Sequence, residues 1–240
     1  MSEFLEDVTD RLAAVLTDGA TIAVGGFGLC GTPVGLIEAV RRTGVRDLTI
    51  VSNNMGIDGK GLGLLIEGDQ VATVVASYVG ENKLFAQRYL EGRIEVEFTP
   101  QGTLAERLRA GGAGIAGFYT RTGVGTDIAQ GKPHEVFDGT SYVLERGIVA
   151  DASLVRAHQG DPQGNLTYRL TARNFNPLVA TAGRVTFAEV ERLLDHHIDP
   201  DLIETPSIFV DHVTRAAAGP KDIEKLVTLP PTTAPAGRKN

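Results

Sequence analysis

The sequence predicts an α/β fold, with a mainly parallel sheet, helices between its strands and a smaller irregular or antiparallel β insertion. Three observations carry this. Short apolar runs alternate with stretches of helical spacing between 21 and 110, the pattern of successive βαβ units. From 111 to 150 the texture changes to glycines and short β-branched runs, which interrupts that alternation. A chain of 240 residues with 42 % apolar side chains is also long enough to bury the core of one large domain.

Taken in order, Phe4, Val8, Leu12 and Val15 recur at helical spacing and predict an amphipathic helix over 2–17, closed by Gly19. A strand follows at 21–24. Thr32 then offers an N-cap and Pro33 a first-turn proline for a helix reaching 42. The alternation continues with a strand at 47–51, a short helix at 59–67 and a strand at 71–76. A helix at 82–91, a strand at 94–98 and a helix at 103–110 complete it. Runs at 141–144 and 148–150 belong to the expected insertion, and residues 155, 166–168 and 184–187 read as further sheet. Residues 1–229 are expected to form one domain, and 230–240, rich in proline and small polar residues, a disordered tail that cannot pack.

Composition excludes several function classes. There is no uninterrupted apolar stretch of ~18 residues, and Met1-Ser2-Glu3-Phe4-Leu5-Glu6-Asp7 is not a basic segment before a hydrophobic run. A cytoplasmic protein is expected, with no membrane partner. Cys30 is the single cysteine, so no intrachain disulfide and no thiolate zinc cluster can form. A net charge of −7, with Arg41-Arg42 the densest basic pair and no Trp, argues against nucleic acid. His196 and His197, near Asp199 and Asp201, lack a spaced third ligand and read as a solvated loop; no metal site is expected.

Gly26, Gly28 and Gly31 follow a strand and precede a helix, formally a dinucleotide fingerprint. The acid that would bind a ribose is missing, because the next strand ends in Asn53-Asn54. Tyr89, Tyr142 and Tyr168 also lack a lysine four residues on. Nicotinamide chemistry is therefore set aside. Glycines here let backbone approach a ligand or a partner chain, and the helix after Pro33 offers amides that favour an anion.

The wider window Asp18-Gly19-Ala20-Thr21-Ile22-Ala23-Val24-Gly25-Gly26-Phe27-Gly28-Leu29-Cys30-Gly31-Thr32-Pro33 closely resembles the first signature of family I CoA-transferases. Similarity to the A (α) subunits of the succinyl-CoA:3-oxoacid group extends over residues 5–215. It is carried by Ser52-Asn53-Asn54-Met55-Gly56-Ile57-Asp58, Ser77-Tyr78-Val79-Gly80-Glu81-Asn82, Thr99-Pro100-Gln101-Gly102-Thr103 and Arg173-Asn174-Phe175-Asn176-Pro177.

The resemblance implies an open α/β sandwich that works only with a B (β) subunit, in a heterodimer or heterotetramer. It implies CoA thioesters as substrates, with a 3-oxoacid such as acetoacetate as acceptor, and no permanently bound cofactor. Acetate- or butyrate-type and 3-oxoadipate enzymes share part of the pattern, and a non-catalytic module holding CoA or a sugar phosphate is the reading from another class. In the family a glutamate within Ser-Glu-Asn-Gly, on the B half, forms a glutamyl-CoA thioester. That segment is absent here, and Glu81-Asn82 is its nearest lookalike.

By the same resemblance Gln101 is the oxyanion donor, a neutral amide at a strand end where ligands approach an open sheet. Gly25, Gly26, Phe27, Gly28 and Gly31 are expected at the substrate or CoA. Asn53 and Asn54 offer amides at another strand end, suited to a carboxylate or to orienting the glutamate, and equally to capping a turn. Tyr78 and Asn82 are expected to line the acyl pocket. Cys30 has no histidine near it in sequence and reads as a small buried thiol. Arg173-Asn174-Phe175-Asn176 reads as structural, its arginine tying a loop and its phenylalanine packing inward.

Overall fold

The computed structural model describes residues 2–219 and residue 222; the tail expected over 230–240 lies outside them. The chain opens with β1 (Glu3–Phe4) and α1 (Thr9–Val15). It then alternates through β2 (Thr21–Val24), α2 (Val34–Thr43), β3 (Leu48–Val51), α3 (Gly63–Glu67), β4 (Val71–Ala76), α4 (Lys83–Leu90), β5 (Glu95–Phe98) and α5 (Gln101–Gly112). β6 (Gly117–Thr120), β7 (His134–Phe137) and β8 (Thr140–Arg146) form a separate antiparallel sheet in the order β6-β8-β7, which is the expected insertion. β9 (Ala150–Gly160), β10 (Leu166–Thr167), α6 (Asn176–Ala182), β11 (Gly183–Leu193) and β12 (His212–Arg215) complete the described chain.

The main sheet runs β1-β12-β11-β9-β2-β3-β4-β5, with every neighbouring pair parallel and β10 added antiparallel to β9. Period-two alternation decides which face each side chain takes. In β2, Ile22 and Val24 join the core beneath α1, α2 and α3, while Ala23 faces the core formed with α5 and α6. Leu12 of α1, Leu36, Ile37 and Val40 of α2, and Leu65 and Ile66 of α3 are fully buried on the first face; Leu104, Leu108 and Val179 are buried on the second.

Three expectations need correction. The helix predicted over 2–17 is shorter, because residues 3 and 4 pair in register with His212 and Val213 at the sheet edge, and a strand partner so distant in sequence leaves no local signal. The run at 148–150 does not belong to the insertion; β9 starts at Ala150 and becomes a central strand between β2 and β11. α6 begins at Asn176-Pro177, at the end of the block whose arginine was expected to tie a loop and where no helix was expected, with Pro177 in its first turn, where a missing N–H costs nothing.

Candidate active site

Sheet order reverses between β2 and β9. β3, β4 and β5 succeed one another on one side of that switch, and β9, β11 and β12 lie on the other. In an open parallel sheet, ligands approach at the carboxyl ends of strands near such a switch. Four strand ends converge here on a cavity of ≈ 620 Å³. Phe27, Gly28 and Cys30 follow β2, Asn53 and Asn54 follow β3, Ser77, Tyr78 and Glu81 follow β4, and Gln101 follows β5.

Asn53 and Asn54 are buried, at 2 % and 8 % exposure, although both border the cavity. Asn54 Oδ1 accepts the Gly56 backbone N–H at 2.7 Å, closing the turn after β3. Its Nδ2 donates to Asn53 Oδ1 at 3.0 Å. Asn53 Nδ2 in turn donates to Ser77 Oγ at 3.0 Å and to Gln101 Oε1 at 3.4 Å. Gln101 is the first residue of α5, with an exposed side chain, so its amide reaches the cavity from a helix start. Tyr78 is half exposed and folds over Gly80, where an added Cβ would lie 2.4 Å from the phenol oxygen.

Asn82 sits differently. Its Oδ1 caps α4 by accepting the Phe85 N–H at 2.9 Å and its Nδ2 donates to the Met55 carbonyl at 3.0 Å, so both ends of the amide are engaged away from the residues that line the cavity. The glycines divide in the same way. Phe27 and Gly28 border the cavity, with Phe27 exposed, and paired backbone hydrogen bonds to Cys30 hold that tip. Gly25, Gly26 and Gly31 instead meet this chain's own 172–176 segment and Thr32. A Cβ on Gly25 would fall 2.0 Å from Asn176 Oδ1, and one on Gly31 would fall 2.5 Å from the Ala172 carbonyl. Asn174 accepts from the Gly26 N–H at 3.1 Å and donates to the Cys30 carbonyl at 2.9 Å, while Asn176 donates to the Gly31 carbonyl at 3.0 Å. Two blocks far apart in sequence are thus one stitched unit, an approach of backbones that glycine permits.

Two corrections concern this loop. Cys30 is exposed, not a buried packing thiol: it borders the cavity, with Sγ 3.4 Å from Thr171 Oγ1. Thr32 does not cap α2, since its hydroxyl donates to the Gly28 carbonyl at 3.2 Å. The anion at that helix start is internal. Glu189 Oε2 accepts the Leu36 N–H at 3.1 Å and Oε1 accepts from Arg156 at 2.7 Å. Burial pushes the Glu189 carboxyl above its usual range, against the pull of Arg156.

Residues 5–216 match the family model described as Coenzyme A transferase. The A subunit of a probable succinyl-CoA:3-ketoacid coenzyme A transferase from Bacillus subtilis (strain 168) is 56 % identical over 214 residues, covering 89 % of this chain and 90 % of that one. The chain belongs to the coenzyme A transferase family. The A subunit of the succinyl-CoA:3-ketoacid coenzyme A transferase from Helicobacter pylori (strain ATCC 700392 / 26695) is 51 % identical over 229 residues, 95 % of this chain and 98 % of that protein.

Among solved structures, an acyl-CoA transferase from E. coli O157:H7 shares the fold of this coenzyme A transferase chain with a TM-score of 0.79 at 22 % identity, covering 90 % of this chain and 47 % of that one. The chain therefore spans about half the length of that protein. Glutaconate coenzyme A-transferase from Acidaminococcus fermentans aligns with a TM-score of 0.76 at 20 % identity, over 90 % of this chain and 76 % of the other.

In this transferase chain, Ser77, Gly56, Ile57, Gly80 and Glu81 also border the cavity without having been singled out as binding residues. Ser77 and Gly80 stand in the Ser77-Tyr78-Val79-Gly80-Glu81-Asn82 block, and the strand end before them was the available signal. Among the described residues that line the cavity, Glu81 is the one carboxylate and there is no Lys or Arg. Among the described residues no group of three or more His, Cys, Asp and Glu is placed to hold a metal ion; His196 faces Asp195 at 2.8 Å. No helix among them is long and apolar enough to cross a membrane.

Proposed function

We propose that the chain is the A half of a succinyl-CoA:3-ketoacid coenzyme A transferase, with Gln101 as oxyanion donor. The observation that carries this is the Gln101 amide, presented at the cavity where four strand ends meet, with its oxygen engaged by Asn53. Relatives named for this activity, 51 to 56 % identical over most of the chain, support the substrate pair.

The chemistry of this proposal is the double displacement that the family resemblance implies, with Gln101 placed to serve it. A glutamate carboxylate on the B half attacks the thioester carbonyl of succinyl-CoA, releasing CoA thiolate and leaving a mixed anhydride. The thiolate attacks the glutamyl carbonyl of that anhydride, releasing succinate and leaving a glutamyl-CoA thioester. Acetoacetate then runs both steps in reverse and departs as acetoacetyl-CoA. Each addition puts a negative charge on one oxygen, and a fixed neutral N–H donor stabilises it by about 3 kcal/mol. A neutral amide suits the position, because the nearby nucleophile must stay ionised. CoA thioesters are substrates on this reading, no resident cofactor takes part, and the enzyme works in the cytoplasm as a hetero-oligomer.

A second reading makes Glu81 the nucleophile, since it borders the same cavity as Gln101. One experiment separates the possibilities. The complex formed on coexpression with the B half is mixed with succinyl-CoA, and each chain is weighed by mass spectrometry for a bound CoA. An adduct on the B half, with no turnover by the A chain alone, supports the proposal. An adduct on Glu81 favours the second reading, and a chain that turns over no substrate and recruits no B half is a binding module. Acetate and 3-oxoadipate as competing acceptors test the other acyl classes.

A further inference from the structure

The amides of Asn54, Asn53 and Gln101 form a head-to-tail series with one polarity. It starts at the Gly56 backbone N–H, which can only donate. Gly56 is held there by its backbone, at φ +62, and by packing that would set an added Cβ 2.4 Å from the Lys60 carbonyl. Asn54 must therefore turn its Oδ1 to Gly56, at 2.7 Å, which leaves its Nδ2 toward Asn53. Asn53 answers with Oδ1, at 3.0 Å, and its own Nδ2 has both hydrogens engaged, one by Ser77 Oγ and one by Gln101 Oε1. Ser77 cannot easily reverse this, because its hydroxyl hydrogen goes to the Asn53 carbonyl at 3.2 Å. At the end of the series Gln101 has its oxygen held, and its Nε2 has no partner among the described residues.

We infer that Asn53 and Asn54 are positioning residues that transmit the polarity of one backbone N–H through two side-chain amides, so that Gln101 presents its NH2 and not its carbonyl to the substrate. This rests on the reading of Gln101 as oxyanion donor. A primary amide is nearly symmetric in shape, so packing alone does not choose between its two orientations. Hydrogen-bond polarity does: turned over, the Gln101 NH2 would face the Asn53 NH2 donor to donor, and its carbonyl oxygen would meet the developing oxyanion. Asn53 has no spare N–H for a substrate carboxylate, which removes the simplest alternative use for it. Buried networks of this kind specify one arrangement when every member is satisfied.

The test is a double-mutant cycle in the assembled complex. Asn54→Asp keeps the shape and still accepts from Gly56, but it has no donor for Asn53. Asn53 is then driven to turn over, and Gln101 with it. The expected result is a kcat lowered by roughly tenfold or more, with KM within about twofold. In a Gln101→Ala background the same substitution should cost less than about twofold further, because the group it orients is gone. Asn53→Leu carries no charge and repeats the cycle if Asn54→Asp fails to assemble, with copurification and thermal unfolding reporting assembly. An equal loss in both backgrounds overturns the inference while leaving the oxyanion role of Gln101 standing. A raised KM with unchanged kcat overturns it too, by making the asparagines substrate ligands. If Gln101→Ala alone leaves kcat at the wild-type value, the oxyanion reading itself falls, and the positioning role with it.

Discussion

Glu189 Oε2 accepts the backbone N–H of Leu36 at 3.1 Å, across 153 residues of sequence, at the start of α2. Gly35 makes room for it, since a Cβ there would lie 2.8 Å from the same oxygen. The positive end of the helix that follows the glycine loop is thus met by the protein's own carboxylate, which Arg156 pairs from β9. Glu189 is 1 % exposed. Removing it as Glu189→Ala leaves Arg156 without its closest partner and the helix start uncapped, and is expected to cost about 3 kcal/mol. Glu189→Gln, which keeps an acceptor for Leu36, should cost less. Urea unfolding of the three proteins checks this order, and an unchanged midpoint for Glu189→Ala would refute it.

Gly25 is the position where the glycine loop and the 172–176 block approach most closely. Gly25→Ala drives a Cβ toward Asn176 Oδ1, an atom already committed to the Arg156 N–H at 2.9 Å. Overpacking of this kind costs about 1–3 kcal/mol. Thermal unfolding should show a lowered midpoint for Gly25→Ala. By contrast Gly44→Ala, which has open space but φ +73, should be reduced only by backbone strain.

For Gln101, replacement by alanine in the complex should lower kcat by about 10²-fold and leave KM nearly unchanged, because the interaction removed exists mainly in the transition state. Gln101→Glu should be slower still, since a carboxylate repels both the oxyanion and the attacking glutamate. Steady-state kinetics decide it: a raised KM at full kcat would make Gln101 a binding residue.

Asp161 predicts a pH dependence of stability. Burial pushes its carboxyl up, but hydrogen bonds outweigh it and hold the group below its ordinary 3.8. These come from the Asn165 side chain and from the N–H groups of Asn165, Ile198 and Gln163. With the folded value below the unfolded one, the contribution is complete above the unfolded value and disappears as pH falls through the folded one. Melting temperatures measured between about pH 6 and pH 2 should therefore fall more steeply for the wild type than for Asp161→Asn, with the two curves converging in acid. Parallel curves would show that Asp161 carries no such linkage.

Much of the fold was legible because its signals are local. Ile22, Val24, Ile50 and Val74 lie in short apolar runs separated by helical stretches, and that alternation implies parallel strands wherever they meet in space. β4 falls at 71–76 as the apolar run there marks it. β9 was not legible as a central strand: Ala152, Ser153, Leu154 and Val155 are buried in succession beside Arg156 and His158, so neither alternation nor a clean apolar run marks it. Its place is set by β2 and β11 on either side.

The sequence by itself determined that the chain is α/β, that amide side chains stand after the strands at 47–51 and 94–98, and that a glycine-rich turn follows the one at 21–24. Each is a property of a few neighbouring residues. Only the tertiary structure decided that Asn174 and Asn176 fasten the glycine loop, that Glu189 supplies the anion for α2, that Cys30 is exposed at the cavity, and that Asn82 spends its amide oxygen on the α4 cap and its NH2 on the Met55 carbonyl. Hydrophobic periodicity acts over a turn or two of chain, whereas a hydrogen-bond partner is whichever polar group the folded sheet brings within about 3 Å, however remote in sequence.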